Sequence, residues 1–254
     1  MPDDAHVRRL WPSPDPGPLR DEEILDAYVM PEGHARLRVN FVASVDGAVT
    51  LGGRSGGLGG PGDRRIFGLL RVACDAILVG AGTVRVEGYG PMKLPSRLRD
   101  LRREQGRDAD PVLVIATRRF DLDPTAPLFT EAPRRPVIIT TEPAARSAAA
   151  DFAAVADLVG VGTQECDLGA ALADLTKRGL PHVLCEGGPH LLGTLLAADL
   201  VDELCLTVAP KLTGPGADRI IAGPLSPVRD LALSQLLAAN DELFLHYGRA
   251  PSPS

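Results

Sequence analysis

The sequence predicts an α/β fold in which a mostly parallel central sheet is covered by helices on both faces. Short apolar segments alternate along the chain with segments whose apolar residues recur at helical spacing. Several strand segments are apolar throughout rather than at every second position, which indicates burial on both faces of the sheet. The chain has 254 residues, 44% of them hydrophobic, and can therefore bury the core that such a domain needs.

The elements of the first half follow from local signals. Residues 37–44 form the first predicted strand, and a glycine-rich stretch follows at 52–62. A helix is predicted from Pro61, because proline suits the first helical position and Asp63 suits the first turn. Its residues Ile66, Leu69 and Leu70 recur at helical spacing and should face the sheet. The next predicted elements are a strand at 76–80, a basic helix around 97–105 and a strand at 112–117.

The second half continues the alternation as far as a late strand. Strands are predicted at 136–140, 183–186, 204–209 and 243–247, and helices at 144–154, 168–177 and 191–198. No domain break is visible after about residue 35, so residues 36–250 are predicted to form a single domain. Residues 1–35 are predicted to be a proline-rich N-terminal arm, extended because of Pro12, Pro14, Pro16 and Pro18.

Composition excludes several classes of function. With 27 basic and 33 acidic residues the net charge is −6, which disfavours non-specific binding to nucleic acid or anionic membrane. Neither a signal peptide nor an apolar run of membrane-spanning length is present. No short metal-binding motif occurs, so no metal site is predicted. The cysteines form no C-x-x-C pair and are interpreted as buried thiols, which predicts a cytoplasmic protein.

The strongest local signal is the segment from Glu186 to Leu191. A buried strand ends at Glu186, Gly187 and Gly188 allow a ligand to approach the backbone closely, and a helix begins about one residue later. The free N–H groups at the start of that helix would bind phosphate. An ordinary strand-to-helix turn would also use glycine, and the segment alone leaves both interpretations open.

A second glycine-rich turn follows the strand at 76–80. The run through Gly80, Gly82 and Thr83 is not G-x-G-x-x-G, because Arg85 takes the third glycine position. Two such turns at the carboxyl edge of one sheet would hold an extended dinucleotide; a second structural turn is the alternative. The G-x-G-x-x-G of residues 57–62 follows a polar stretch and is interpreted as a loop that closes over a substrate.

Two further segments offer polar side chains at strand ends. Asp46 follows the strand at 37–44, where it is either a carboxylate that donates or relays a proton, or part of an Asx turn with Gly47. Thr117, Arg118 and Arg119 end the strand at 112–117. They would either bind a 2′-phosphate or form a solvated basic turn that pairs with nearby acidic residues.

These segments, taken in order, resemble the RibD C-terminal family, the pyrimidine reductases of riboflavin biosynthesis. The resemblance covers about residues 36–213, and the order and spacing of the short pieces make it specific. The matching pieces are Ala43-Ser44-Val45-Asp46-Gly47, Asp63-Arg64-Arg65, Leu69-Leu70-Arg71, residues 75–84, Leu122-Asp123-Pro124, Glu186-Gly187-Gly188-Pro189, residues 196–204 and Ala209-Pro210-Lys211-Leu212.

The resemblance implies a dihydrofolate-reductase-like fold, a homodimer and NADPH as hydride donor. The implied reaction is that of 5-amino-6-(5-phosphoribosylamino)uracil reductase, with hydride transfer to C1′ of the ring-opened ribosylamine. The residues it places along the cofactor are Ala43, Thr83, Glu87 and Thr117, with the Gly187, Gly188, Pro189, His190 and Leu191 turn around the diphosphate. Those it places at the substrate are Ser55, Arg71 and Glu186.

Two departures from the family pattern fall in the substrate half. Gly56-Gly57-Leu58 stands where many members have a tryptophan after the loop serine, and Glu87-Gly88-Tyr89 stands where they have Asp-Asp-Pro. A phosphorylated ribosylamino-pyrimidine is therefore the first candidate substrate. A dihydrofolate or pterin-type reductase of the same fold and a non-catalytic NADPH-binding protein are the alternatives, because a fold does not fix a function.

Overall fold

In a computed structural model, residues 5–15, 17–31, 33–223 and 228–250 are described. The strands are β1 (Arg8–Trp11), β2 (Arg36–Ser44), β3 (Ala76–Gly80), β4 (Val112–Ala116), β5 (Val137–Thr140), β6 (Asp157–Gly160), β7 (His182–Cys185), β8 (Glu203–Ala209), β9 (Leu231–Ala239) and β10 (Glu242–Arg249). The helices are α1 (Asp21–Asp26), α2 (Pro61–Val72), α3 (Ala81–Glu87), α4 (Ser96–Glu104), α5 (Pro127–Thr130), α6 (Glu142–Phe152), α7 (Leu168–Lys177) and α8 (Pro189–Ala197).

The strands form one sheet in the order β1-β9-β10-β8-β2-β7-β3-β4-β5-β6. From β8 to β6 every neighbouring pair is parallel, whereas β1, β9, β10 and β8 pair antiparallel. The predicted α/β class with a mostly parallel sheet is thus confirmed. Because β2, β7 and β3 are adjacent and parallel, the loops at their carboxyl ends meet at one edge, where ligands bind in open α/β sheets.

Apolar side chains from alternate positions of each central strand enter two different cores. On β3, Ile77 and Val79 belong to one core cluster, while Leu78 belongs to the other. The first cluster contains the predicted inward face of α2, and the second contains Leu192 and Leu195 of α8. Helices therefore cover both faces, as the apolar strands predicted.

The N-terminal segment differs from the predicted extended arm. β1 pairs with β9 at the edge of the sheet, and α1 buries Ile24 and Leu25 in the first core cluster. Tyr28, just after α1, is 1% exposed. The prolines lie at the bends between these elements. The prediction of an extended arm relied on the prolines and overlooked the apolar residues between them, which the structure buries. Residues 1–4, Pro16 and Glu32 lie outside the described residues, and the boundary at residue 35 stays a prediction.

Four further elements were not predicted, one of them the short helix α5. The residues after β3 form helix α3 directly, where the sequence indicated only a turn. The edge strand β6 has Leu158 and Val159 between a charged residue and a glycine, too short an apolar run to predict a strand. β9 was left in an unassigned stretch. In the described part of the chain, every helix is too short or too polar to cross a membrane.

Candidate active site

A cleft of about 560 Å³ lies at the carboxyl edge of β2, β3 and β7. Its walls are the two glycine-rich turns after β3 and β7, the loop between β2 and α2, and the first turns of α2. A second cavity, of about 550 Å³, lies between the N-terminal segment, α2 and α4. Its wall contains the Arg65–Asp21 and Arg97–Asp21 ion pairs and, among the described residues, no predicted site residue. The first cleft is therefore the candidate active site.

The two glycine-rich turns pack directly on each other. The Gly80 backbone N–H donates to the Gly187 carbonyl oxygen at 2.9 Å. A Cβ at Gly188 would stand 2.6 Å from Thr83 Oγ1. Gly187 has φ +93°, and a Cβ there would touch the Phe41 ring at 3.0 Å. Both glycines are thus required by the packing of the turns themselves, whatever the turns bind.

The turn after β7 presents a helix N-terminus to the cleft. Gly188 is the N-cap of the nine-residue helix α8 and has no side chain with which to cap its first N–H groups. Gly188, Pro189, His190 and Leu191 line the cleft, and Gly82 and Thr83 of α3 face them across it. The helix dipole and these N–H groups favour an anion at this place.

Glu186 is the centre of a buried polar cluster. Its carboxylate accepts two hydrogen bonds from Arg71, from Nε and Nη2, each at 2.7 Å, and one from the Tyr89 hydroxyl at 2.7 Å. The Arg71 guanidinium lies 4.2 Å from the centre of the Phe67 ring. Burial and the charge of Glu186 raise the pKa of Tyr89, so that its hydroxyl stays protonated and keeps donating. The cluster places the Glu186 carboxylate, paired with the Arg71 guanidinium, at the wall of the cleft.

The loop between β2 and α2 is tied down at two points. The Ser55 backbone N–H and its hydroxyl both donate to Glu87 Oε1, at 2.8 and 2.9 Å. Further along, the Lys211 ammonium donates to the Leu58 carbonyl oxygen. Ser55 and Glu87, one implied at the substrate and the other at the cofactor, therefore meet each other at the wall of the cleft.

Asp46 lies beside the cleft rather than in its lining. Its carboxylate accepts hydrogen bonds from the Ser44 hydroxyl and from the Thr213 and Gly214 backbone N–H groups. These hydrogen bonds, led by that of Ser44, lower the pKa of Asp46 to about 2. The carboxylate is ionised at neutral pH and ties the turn after β2 to the chain after β8. Its role as a proton donor stays a prediction.

The remaining predicted residues also lie outside the lining of the cleft. Thr117, at the end of β4, is 8% exposed, and its Oγ1 accepts from the Phe120 backbone N–H at 3.0 Å. Arg118 is exposed, and the nearby Asp121 pairs with Arg85 instead, at 3.4 Å. The other predicted residues outside the lining are Ala43, Arg71 and Gly187.

Sequence reasoning missed several residues of the lining that carry polar groups, namely Asn40, Thr50, Asp63, Arg64, Tyr89 and Asp218. Asp63 was interpreted only as an acid that suits the first turn of a helix. Asp63, Phe67 and Arg71 are spaced by four residues and therefore share one face of α2. That spacing, together with the implied role of Arg71, was the available signal. Within the described ranges, no group of three or more His, Cys, Asp or Glu is placed to hold a metal ion.

Known proteins support the assignment of this cleft to a reductase. The model of the RibD C-terminal domain matches residues 35–243. The 2,5-diamino-6-ribosylamino-4(3H)-pyrimidinone 5′-phosphate reductase of Methanothermobacter thermautotrophicus is 30% identical over 177 residues, 69% of this chain and 78% of that protein. The protein of the same name from Archaeoglobus fulgidus is 29% identical over 177 residues, 69% of this chain and 80% of that one.

A solved structure shares the fold as well. A pyrimidine reductase-like protein from Corynebacterium diphtheriae superposes with a TM-score of 0.77 at 29% identity, covering 86% of this chain and 93% of that chain. The matched range contains both glycine-rich turns and the Glu186 cluster. The chain therefore belongs to the RibD C-terminal domain family, the reductases of riboflavin biosynthesis.

Proposed function

We propose that this protein is an NADPH-dependent reductase of a phosphorylated ribosylamino-pyrimidine, of the 5-amino-6-(5-phosphoribosylamino)uracil type. The observation that carries the proposal is that one cleft combines an uncapped helix N-terminus at Gly188 with the buried Arg71–Glu186 pair. The first is suited to the diphosphate of a dinucleotide, and the second to the polar edge of a heterocycle.

The residues of the two turns fit a nicotinamide dinucleotide. A Cβ at Gly82 would meet no described atom within 4 Å, so the wall there is open to a ligand. Gly188 to Leu191 would hold the diphosphate, Thr83 would lie beside it, and Arg118 would face the 2′-phosphate that distinguishes NADPH from NADH. The bound cofactor would supply the hydride, and the protein would align the two reactants.

On the substrate side, the proposal assigns Ser55, Arg71 and Glu186 to binding. Arg71 and Glu186 hold each other in place through two hydrogen bonds, which fixes the orientation of both before a ligand arrives. Glu186, which lines the cleft, would present a hydrogen-bond acceptor to a heterocycle, and Arg71, outside the lining, would hold that carboxylate in its orientation. The cleft volume of about 560 Å³ is within the range of small-molecule sites.

A second candidate is a reductase of the same fold that acts on a dihydropterin. The observation that favours it is the hydrogen bond from the Tyr89 hydroxyl to Glu186, in the Glu87-Gly88-Tyr89 segment that departs from the family pattern. The tyrosine fills space and occupies a carboxylate oxygen that a pyrimidine ribotide would otherwise meet. A non-catalytic NADPH-binding protein would keep the turns without turnover.

Absorbance at the nicotinamide band separates the three functions. Purified protein is mixed with NADPH and, in turn, with 5-amino-6-(5-phosphoribosylamino)uracil, its 2,5-diamino-pyrimidinone counterpart and dihydrofolate, and products are identified by mass spectrometry. Oxidation of NADPH with formation of the ribitylamino product is expected. Turnover of dihydrofolate alone would establish the second candidate, and binding of NADPH without any turnover would establish the third.

The apolar face of β8, β9 and β10 supports the homodimer that the family resemblance implies. Leu243, Leu245 and Tyr247 of β10 are half-buried or exposed, and their partners across β8 and β9 are apolar too. Leu245→Glu should therefore convert a dimer into a monomer in light scattering, because a charge would be buried at the interface. The free cysteines, most of them buried, support a cytoplasmic location.

A further inference from the structure

Asp63 is a carboxyl group in the cleft that the proposed function has not yet used. It stands in the first turn of α2, two residues after Pro61, and lines the cleft. Its carboxylate lies so close under the loop that a Cβ at Gly59 would overlap it. From the sheet, the hydroxyl of the buried Thr207 donates a hydrogen bond to it.

A second carboxyl group, at the start of β10, interacts with both Asp63 and the start of α2. Glu242, at the start of β10, is 2% exposed and accepts hydrogen bonds from the backbone N–H groups of Gly60, at 2.6 Å, and Asp63, at 3.1 Å. It thereby satisfies the N-terminus of α2, and the helix dipole stabilises its charge. The charge of Glu242 raises the pKa of Asp63, so this neighbour favours the protonated form of the Asp63 carboxyl.

The other charged groups that face Asp63 act in the opposite direction. Arg64, its neighbour on α2, and Lys211, which follows β8, both lower its pKa. Burial, the largest effect, and the charge of Glu242 raise it, and the pKa of Asp63 is raised overall. Asp46 has the reverse balance and is ionised at neutral pH. Of these two carboxyl groups, Asp63 is the one whose surroundings favour the protonated form that a proton donor needs.

Asp63 also lies on the side of the cleft that the substrate would occupy. It shares one face of α2 with Phe67, one turn further on, and Arg71, two turns further on. Arg71 is joined to Glu186, which lines the same cleft. A heterocycle held by the Arg71–Glu186 pair therefore reaches toward the Asp63 carboxyl along the helix.

We propose that Asp63 is a catalytic residue, the general acid of the reduction. This rests on the proposed function. In the ring-opened substrate the C1′=N double bond receives hydride at C1′, its π electron pair moves to nitrogen, and the Asp63 carboxyl gives its proton to that nitrogen. The products are the secondary amine, the oxidised cofactor and the Asp63 carboxylate, which regains a proton from water. Thr207 and Glu242 are positioning residues for this step.

The test compares Asp63→Asn and Thr207→Val with wild type, and uses Asp241→Asn as the matched control. Asp241 is exposed in the turn before Glu242, and its left-handed backbone, φ +65°, suits asparagine. Two measurements are made: the infrared carboxyl band of the ligand-free protein as a function of pH, and kcat, KM and NADPH affinity between acid and alkaline pH.

We expect Asp63→Asn to remove a protonated carboxyl band and to lower kcat by about a hundredfold or more, with NADPH affinity unchanged. Since the Thr207 hydroxyl stabilises the ionised form, Thr207→Val should move both the infrared titration and the alkaline limb of kcat to higher pH. Asp241→Asn should leave all of these unchanged. If Asp63→Asn keeps the wild-type kcat and pH profile, or if the Thr207→Val titration does not move, Asp63 is not the acid.

Failure of the proposed function gives a different result. In that case wild type and all variants reduce no ribosylamino-pyrimidine, while the infrared titration is measured without any substrate. A band removed by Asp63→Asn and shifted by Thr207→Val would then still identify Asp63 as the proton-bearing group of the cleft. A titration of Asp63 at or below the ordinary value for aspartate would overturn the proposal in either case.

Discussion

The two sides of the cleft differ in whether backbone groups or side chains form their surface. On the turn side, the binding surface is backbone: Gly80, Gly187 and Gly188 bring two strand ends and a helix N-terminus together. On the loop side it is side chains, with Glu186 and Asp63 each set by hydrogen bonds and charges from other elements. The position of the turn side is set by the ends of the adjacent strands, and it requires only that the residues of the turns be small. The loop side depends on individual pairs, so substitutions there change the substrate while the fold remains.

The largest effect should come from the loop side. Glu186→Gln would leave the buried Arg71 guanidinium without its counter-charge, and we expect a loss of about 2–4 kcal/mol in the free energy of unfolding. This loss is smaller than the largest values seen when one partner of a buried ion pair is removed, because the Arg71 side chain is 22% exposed and solvent screens its charge. Urea denaturation measures it. Tyr89→Phe, the control, removes one hydrogen bond and should cost about 1 kcal/mol. A smaller loss for Glu186→Gln than for Tyr89→Phe would show that the ion pair is not the main interaction of the cluster.

On the turn side, we expect Gly188→Val to weaken NADPH binding by at least about tenfold, or about 1.4 kcal/mol. The side chain would intrude on Thr83 and on the space above the α8 N-terminus. Calorimetric titration measures the affinity. Gly82→Ala tests ligand binding separately from folding, because the added Cβ points into open space and alanine favours the helix. It should weaken NADPH binding without lowering Tm. Wild-type affinity in both folded variants would remove the turns from the cofactor site.

The third prediction concerns cofactor choice. Wild type should prefer NADPH to NADH, and Arg118→Ala should reduce the preference severalfold, because an exposed arginine pairs with the 2′-phosphate across solvent. Salt should weaken the preference in the same direction. Arg103→Ala, at an exposed arginine of α4 that does not line the cleft, is the matched control. Equal affinities of wild type for the two cofactors would contradict the NADPH assignment.

The smallest effect is expected at Asp46. Asp46→Ala should lower turnover more than NADPH affinity, because the turn after β2 loses its tie to Thr213 and Gly214. Folding lowers the pKa of Asp46 to about 2, so its contribution to stability is complete above the unfolded-state pKa. That contribution is lost as pH falls through the folded-state value. The acid unfolding midpoint of the variant should therefore lie closer to neutrality. An unchanged midpoint would mean that the tie does not stabilise the fold.

Local patterns predicted the turn side well, because a strand, a glycine and a helix start are adjacent in the chain. Gly187 and Gly188 were found in this way. Asp63 was not, since an acidic residue in a first helical turn is already explained by the helix dipole, and its partners Thr207 and Glu242 are distant in sequence. β1 and α1 were missed because the many prolines of this segment indicated an extended arm, although the segment also contains apolar residues that are buried.

If Ser55 binds the substrate and Glu87 the cofactor, as the family resemblance implies, the contact between them would couple two binding equilibria. The family resemblance assigns the serine to the substrate and the glutamate to the cofactor, and here the two share hydrogen bonds through one carboxylate oxygen. A ligand that forms a hydrogen bond with the Ser55 hydroxyl would change the hydrogen bonds that the Glu87 carboxylate can form with the other ligand. Linkage then requires reciprocity: whatever factor the substrate imposes on NADPH affinity, NADPH imposes on substrate affinity. A single side-chain contact at the wall of the cleft would thus make the affinity for each ligand depend on the presence of the other.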